Sequence, residues 1–263
     1  MSEEIKVYEI YFRKYKNKNI VIPLFSITGL TSLIADYLID SFKMEPIAYL
    51  NIKEIQPLMY VTEGKVLHPY TLYFSPENSL MVLKTPFPKE DYENYLKIFP
   101  KIVDALLDWG ERNEVKRFIA LDFMPLEEGE ETKVHFITEE HLTEEMIRLG
   151  LEPYSGVFSS AGTYLLDECM RRRIDGVLLV ADSYIYTLLR MVLSKEISPK
   201  DLYEKIKEAN YDQEALIKMV KALSKVTQVE IPVDKLRKVA KELGKILVES
   251  LKIVQKRPPG IVL

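Results

Sequence analysis

At 263 residues, with 47% hydrophobic residues, a net charge of −4 and a single cysteine, the chain has enough apolar material for one large domain and needs no disulfide or metal staple. The acidic balance argues against a nucleic-acid binder, which needs a basic face. No apolar run reaches the roughly 18–20 residues of a spanning helix, and the start Met1-Ser2-Glu3-Glu4-Ile5-Lys6 lacks signal-peptide layout, so a cytoplasmic protein that avoids membranes is expected.

Ile20-Val21-Ile22-Pro23-Leu24-Phe25 is a continuous apolar run of strand length, the pattern of a strand buried on both faces. Ser26 or Thr28 then serves as cap for a helix whose apolar positions Leu30, Leu33, Ile34, Tyr37, Leu38 and Phe42 recur at helical spacing. A strand over Pro46–Leu50 follows closely, which predicts a crossover between parallel neighbours. Residues 57 to 84 hold shorter β-rich pieces, Leu58–Val61, Tyr70–Phe74 and Leu80–Leu83; Ser75-Pro76-Glu77-Asn78 between the last two predicts a hairpin. A helix is predicted from about Asp91 to Arg112, kinked or broken at Pro100, and Arg117–Leu121 reads as the next strand.

From Leu151 a loop through Gly156 and Gly162 leads to a helix bearing Leu165, Leu166, Cys169 and Met170, then to the strand Gly176–Ala181. Strands alternating with such helices predict a sheet covered on both faces. Beyond Asp182 only helices are expected. Ser198-Pro199-Lys200-Asp201 carries a start signal, Asp212 and Asp234 begin two more, and the last runs to about Lys256 before Pro258-Pro259. The division read from this pattern is an α/β domain over 1–183, a helical appendage over 184–257 and a tail over 258–263.

Chemistry-bearing motifs are sparse. Neither GxGxxG nor GxxxxGK[ST] occurs, and ten glycines give a phosphate cradle little to be built from. His68, His135 and His141 lack metal-ligand spacing and read as surface or loop histidines; with one cysteine no thiolate pair exists, and no cofactor is expected. Ser159-Ser160 misses the GxSxG spacing and reads as a loop-to-helix cap. Asp122 and Asp182 stand at strand ends, where α/β ligands bind, but without a partnered base they read as helix caps. Arg171-Arg172-Arg173 reads as the cationic last turn of a helix, Glu127–Glu131 as a solvated loop, and Cys169 as a buried inert thiol.

Leu236, Val239, Leu243, Ile246, Leu247, Leu251 and Val254 form a long stripe that is expected to pack within the molecule. After it come Ile261, Val262 and Leu263, an apolar tip with a terminal carboxylate that reads either as a frayed tail or as a segment captured in a partner's pocket. The tip is the candidate partner-binding site.

The stretch Ile20–Leu50, with Gly29 and the helix Ser32-Leu33-Ile34-Ala35-Asp36-Tyr37-Leu38-Ile39, resembles the opening of the proteasome assembly chaperone family of the second-subunit type, including its archaeal homologues. Pro57–Lys84, Tyr154–Ala181 and Tyr211–Leu236 are similar to later parts of the family in the same order. The loop after the first strand is poorer in glycine than the family pattern, and residues 184 to 210 hold extra helix. The resemblance implies a three-layer α/β/α sandwich of the phosphorylase/hydrolase-like kind with a mixed central sheet. It further implies no catalysis, ATP-independent action, self-association into a homo-oligomer such as a ring, and binding to proteasome α-subunits. Relatives that activate proteasomes end in a hydrophobic residue, tyrosine and any residue; Val262 stands where that tyrosine would be, which favours assembly factor or scaffold. The competing reading is an enzyme of the nucleoside phosphorylase/hydrolase-like fold using Asp122 or Asp182.

Overall fold

The continuous apolar runs become the middle of a nine-stranded mixed sheet, where both faces must be covered. The computed structural model describes residues 5–11, 14–24, 29–52, 60–62, 64–85, 92–126, 130–198, 201–202, 205, 212–234 and 236. In chain order the elements are β1 (Lys6–Glu9), β2 (Asn19–Pro23), α1 (Leu30–Ser41), β3 (Glu45–Asn51), β4 (Tyr60–Thr62), β5 (Lys65–Leu67), β6 (Thr71–Ser75) and β7 (Leu80–Lys84). They continue with α2 (Tyr92–Arg112), β8 (Arg117–Pro125), β9 (Val134–Thr138), α3 (Glu140–Arg148), β10 (Glu152–Pro153), α4 (Ala161–Arg172), β11 (Asp175–Ser183), α5 (Tyr184–Leu193) and α6 (Gln213–Thr227).

The strand order is β1-β3-β6-β7-β2-β8-β11-β9-β10, and β7, β2, β8 and β11 pair in parallel. One face packs on α1, α3 and α6 through residues such as Val21, Ile119 and Leu179 against Ile34, Leu38, Met146 and Met219. The other packs on α2 and α4, with Ile20, Phe118 and Leu178 against Ile102, Leu106, Leu165 and Cys169. The result is the expected α/β/α sandwich. Its helix α6 belongs to the same core as the sheet, burying Leu216, Met219, Val220 and Leu223.

One local expectation changes. β3 is not the neighbour of β2: the hairpin β6–β7, antiparallel as expected, lies between them. The crossover through α1 therefore spans a gap that the hairpin later fills. Pro100 lies inside α2 without ending it. The reading of Leu58–Val61 as a strand, the caps at Ser26 and Thr28, and the stripe beyond Leu236 fall largely or wholly outside the described residues.

Helix α2 approaches the sheet closely at Gly110. A methyl group there would lie 2.4 Å from Cζ of Phe118, a fully buried ring with no room to retreat. Alanine gains about 1 kcal/mol in helix propensity, but overpacking a fixed ring costs about 1–3 kcal/mol. Gly110→Ala is expected to destabilise the protein by a net ~0–2 kcal/mol in urea titrations, and a stabilised variant would show that the ring moves freely.

Arg171 and Arg172 stand in the last turn of α4 as the sequence reading expects, and Arg172 also reaches the neighbouring helix. Arg172 pairs with Asp108, Asp104 at 3.2 Å and Glu111 at 3.5 Å, all on α2, and so ties the two helices of that layer together. Arg173 closes α4 in the left-handed conformation.

Candidate functional site

The carboxyl ends of parallel strands are where an α/β sheet offers polar groups to a ligand. Here Asp122 on β8, Val180 on β11 and His135 on β9 stand in one row across three strands, on the face covered by α4. Asp122 is not a helix cap, because β8 continues past it to Pro125; its Oδ1 accepts the N–H of Phe123 at 2.8 Å. Burial raises this carboxyl to about 6, with the Phe123 bond and the nearby Ser160 side chain opposing the shift. Ser160 caps α4 as the sequence predicted, its Oγ accepting the N–H of Gly162 at 3.0 Å.

Asp182 is not a cap either. Its Oδ2 accepts the N–H of Lys133 at 2.8 Å and lies 3.5 Å from Nε2 of His135, while Ser183 caps α5. His135 is therefore a strand residue, not a surface or loop one, and its ring meets Tyr154 edge-on at 6.1 Å. Asp212 precedes α6, yet its carboxylate caps α5: it accepts from Ser183 Oγ, from the Tyr184 N–H at 3.0 Å and from the Ile185 N–H at 3.1 Å.

His135 faces Asp182, and among the described residues no hydroxyl nucleophile is bonded to an imidazole base. Cys169 sits buried on the apolar face of α4, and burial above all pushes its thiol up to about 12. His68 stacks on Tyr49, and His141 lies 3.1 Å from Asp175. The described residues contain no group of three or more side chains suited to a metal ion, and none of their helices is long and apolar enough to cross a membrane.

Exposed apolar groups mark a different kind of site. Strand β1 is one edge of the sheet, with Tyr8 42%, Ile10 44% and Tyr11 56% exposed. Tyr8 stacks on Tyr49 at 5.5 Å, and Tyr49 on His68 at 3.7 Å, making a ladder of rings. On the opposite face Glu9 accepts a hydrogen bond from Trp109 Nε1 at 2.7 Å, which pins the edge to α2. The hairpin β4–β5 adds the facing pair Val61 and Val66, also exposed. The sequence reading does not find β1, because the alternation of Ile5 and Val7 with Lys6 and Tyr8 is too short to mark a strand. The tip Ile261, Val262 and Leu263 lies outside the described residues.

The model of the PAC2 family matches residues 20–250. No curated protein matches the chain. Among solved structures, Pyrococcus furiosus PbaA, described as an archaeal homolog of proteasome-assembly chaperone, is 16% identical with a TM-score of 0.72, covering 96% of this chain and 98% of that one. Pyrococcus furiosus PbaB, described as an archaeal proteasome activator, is 18% identical with a TM-score of 0.67, covering 94% and 98%. A Mycobacterium tuberculosis proteasome-assembly chaperone homologue is 14% identical with a TM-score of 0.55, covering 92% and 97%. At these identities the likeness is one of fold.

Proposed function

Because the chain belongs to the PAC2 family, we propose that it is a cytoplasmic, ATP-independent assembly chaperone or scaffold that binds proteasome α-subunits as a homo-oligomer. The observation that carries the reading is the family match over residues 20–250, and relatives of the same fold named for proteasome assembly and activation support it. The Asp182–His135 pairing, which leaves no imidazole bonded to a hydroxyl among the described residues, fits a protein whose work is done by surfaces. The sequence division at residues 183 and 257 and the tip Ile261–Leu263 as a partner contact belong to this proposal.

Pull-down with proteasome α-subunits tests it. The full chain is expected to retain them, and the chain lacking residues 258–263 to retain less if the tip is the contact. Equal retention removes the tip from the proposal; no retention by the full chain overturns the function.

A second reading, an enzyme of nucleoside phosphorylase/hydrolase-like fold, is favoured by one observation, the buried Asp122 carboxyl at the end of β8 with a pKa of about 6. Nucleosides with phosphate are then expected to raise the melting temperature by mass action, whereas a pure scaffold shows no shift.

A further inference from the structure

The two edges of the sheet are built differently. The β10 edge is two residues long and contains Pro153, which blunts it. The β1 edge has no proline and exposes Tyr8, Ile10 and Tyr11 beside it. The N–H of Ile10 bonds inward to the carbonyl of Ile47, and Tyr8 pairs with Tyr49 in the same register. Alternation along an antiparallel strand then turns the N–H and C=O groups of Val7 and Glu9 outward, and no described residue pairs with them. An edge held firm by the Glu9–Trp109 bond, with free backbone groups and an apolar face, is a template for another strand.

We propose that β1 is a homotypic docking edge, to which a second copy of the chain adds its own β1, antiparallel about a twofold axis through Tyr8. The inference rests on the self-association in the proposed function but not on the identity of the proteasomal partner.

Three features select a second copy and this register. A twofold axis normal to the sheet keeps each face continuous, so Tyr8 meets Tyr8 of the other copy as the non-hydrogen-bonded pair, while Val7 faces Glu9 and exchanges the outward backbone bonds with it. The His68–Tyr49–Tyr8 ladder then runs on into its own image, adding an aromatic cross-strand pair. Charge fits as well. Lys6 falls opposite Ile10 and Glu9 opposite Val7, so no like charges meet. A register centred on Val7 breaks the ladder.

Disulfide trapping tests the register in the full chain. Opposed residues of a non-hydrogen-bonded pair lie about 4.5 Å apart at Cα, within disulfide range. Tyr8→Cys is expected to yield a reducible species of twice 30.6 kDa under mild oxidation. It should form at least about tenfold faster than with Lys6→Cys, whose two copies would stand roughly 13 Å apart along the strand. Cys169 is buried and stays out of the reaction. Val7→Pro deletes one outward donor without taking a bond from the β1–β3 ladder, and is expected to halve the mass seen by light scattering at equal concentration. The proposal is overturned if Tyr8→Cys fails to cross-link, if Lys6→Cys cross-links equally well, or if folded Val7→Pro keeps the wild-type mass. Should Val7→Pro fail to fold, the two cysteine variants decide alone. A wild-type chain that is monomeric up to millimolar concentration overturns it too. Loss of α-subunits in the pull-down bears only on the proteasomal reading.

Discussion

Replacing Arg117 by alanine is expected to remove about 3 kcal/mol of folding free energy, near the low end of what breaking a buried ion pair costs. Arg117 begins β8 with only 1% of its surface exposed, and its guanidinium reaches Glu145 of α3 at 2.9 and 2.8 Å and Asp175 of β11 at 3.1 Å. Burial works against the charge, but hydrogen bonds and attraction from Glu145, then Asp175, outweigh it and hold the guanidinium above its ordinary range. The side chain thus fastens a helix and two strands at the amino end of the parallel core. Alanine leaves a cavity and two acids facing each other, although both keep access to water, which places the cost low in the range. Lysine reaches as a point charge without the fork and is expected to restore only part of the loss. Urea denaturation checks this; a loss under about 1 kcal/mol for alanine would mean that the pair is energetically neutral here.

The parts of this fold legible in the sequence are those whose burial is uniform. Ile20–Leu24 and Gly176–Ala181 carry unbroken apolar runs because they lie in the sheet centre, with helices above and below. β1 and α3 were not legible. The first is four residues at an edge, half wet, and the second, Glu140–Arg148, buries only Leu142 and Met146. Adjacency was misread at β3 because pairing is decided by the whole sheet: nothing within 20–50 announces that β6 and β7 will lodge between β2 and β3. Asp212 shows the same limit for single residues. It stands at the start of α6 as the sequence reading expects, yet its carboxylate caps α5, more than twenty residues away in sequence. For the candidate surface, edge status depends on strand order, so neither Tyr8 nor the free backbone of Val7 and Glu9 stood out from the sequence alone.

Asp122 supplies the second large effect, and it depends on pH. Burial, partly offset by the Phe123 N–H and the Ser160 hydroxyl, lifts the carboxyl from 3.8 to about 6. Between those values the folded protein keeps a proton that the unfolded chain has released, so stability falls as pH rises through that window and stays lower above it. A shift of about two pH units corresponds to roughly 3 kcal/mol. Asparagine carries no charge to bury, and its Oδ1 can keep the Phe123 bond. Asp122→Asn is therefore expected to match the wild type near pH 4, and to exceed it by about 2–3 kcal/mol at pH 7.5. Denaturation at the two pH values separates this from a packing effect, which would be the same at both. The comparison also bears on function: a carboxylate retained against such a cost invites a catalytic explanation, whereas the scaffold reading expects α-subunit binding by Asp122→Asn to equal that of the wild type. Reduced binding with intact folding would place the functional centre at the carboxyl ends of the strands.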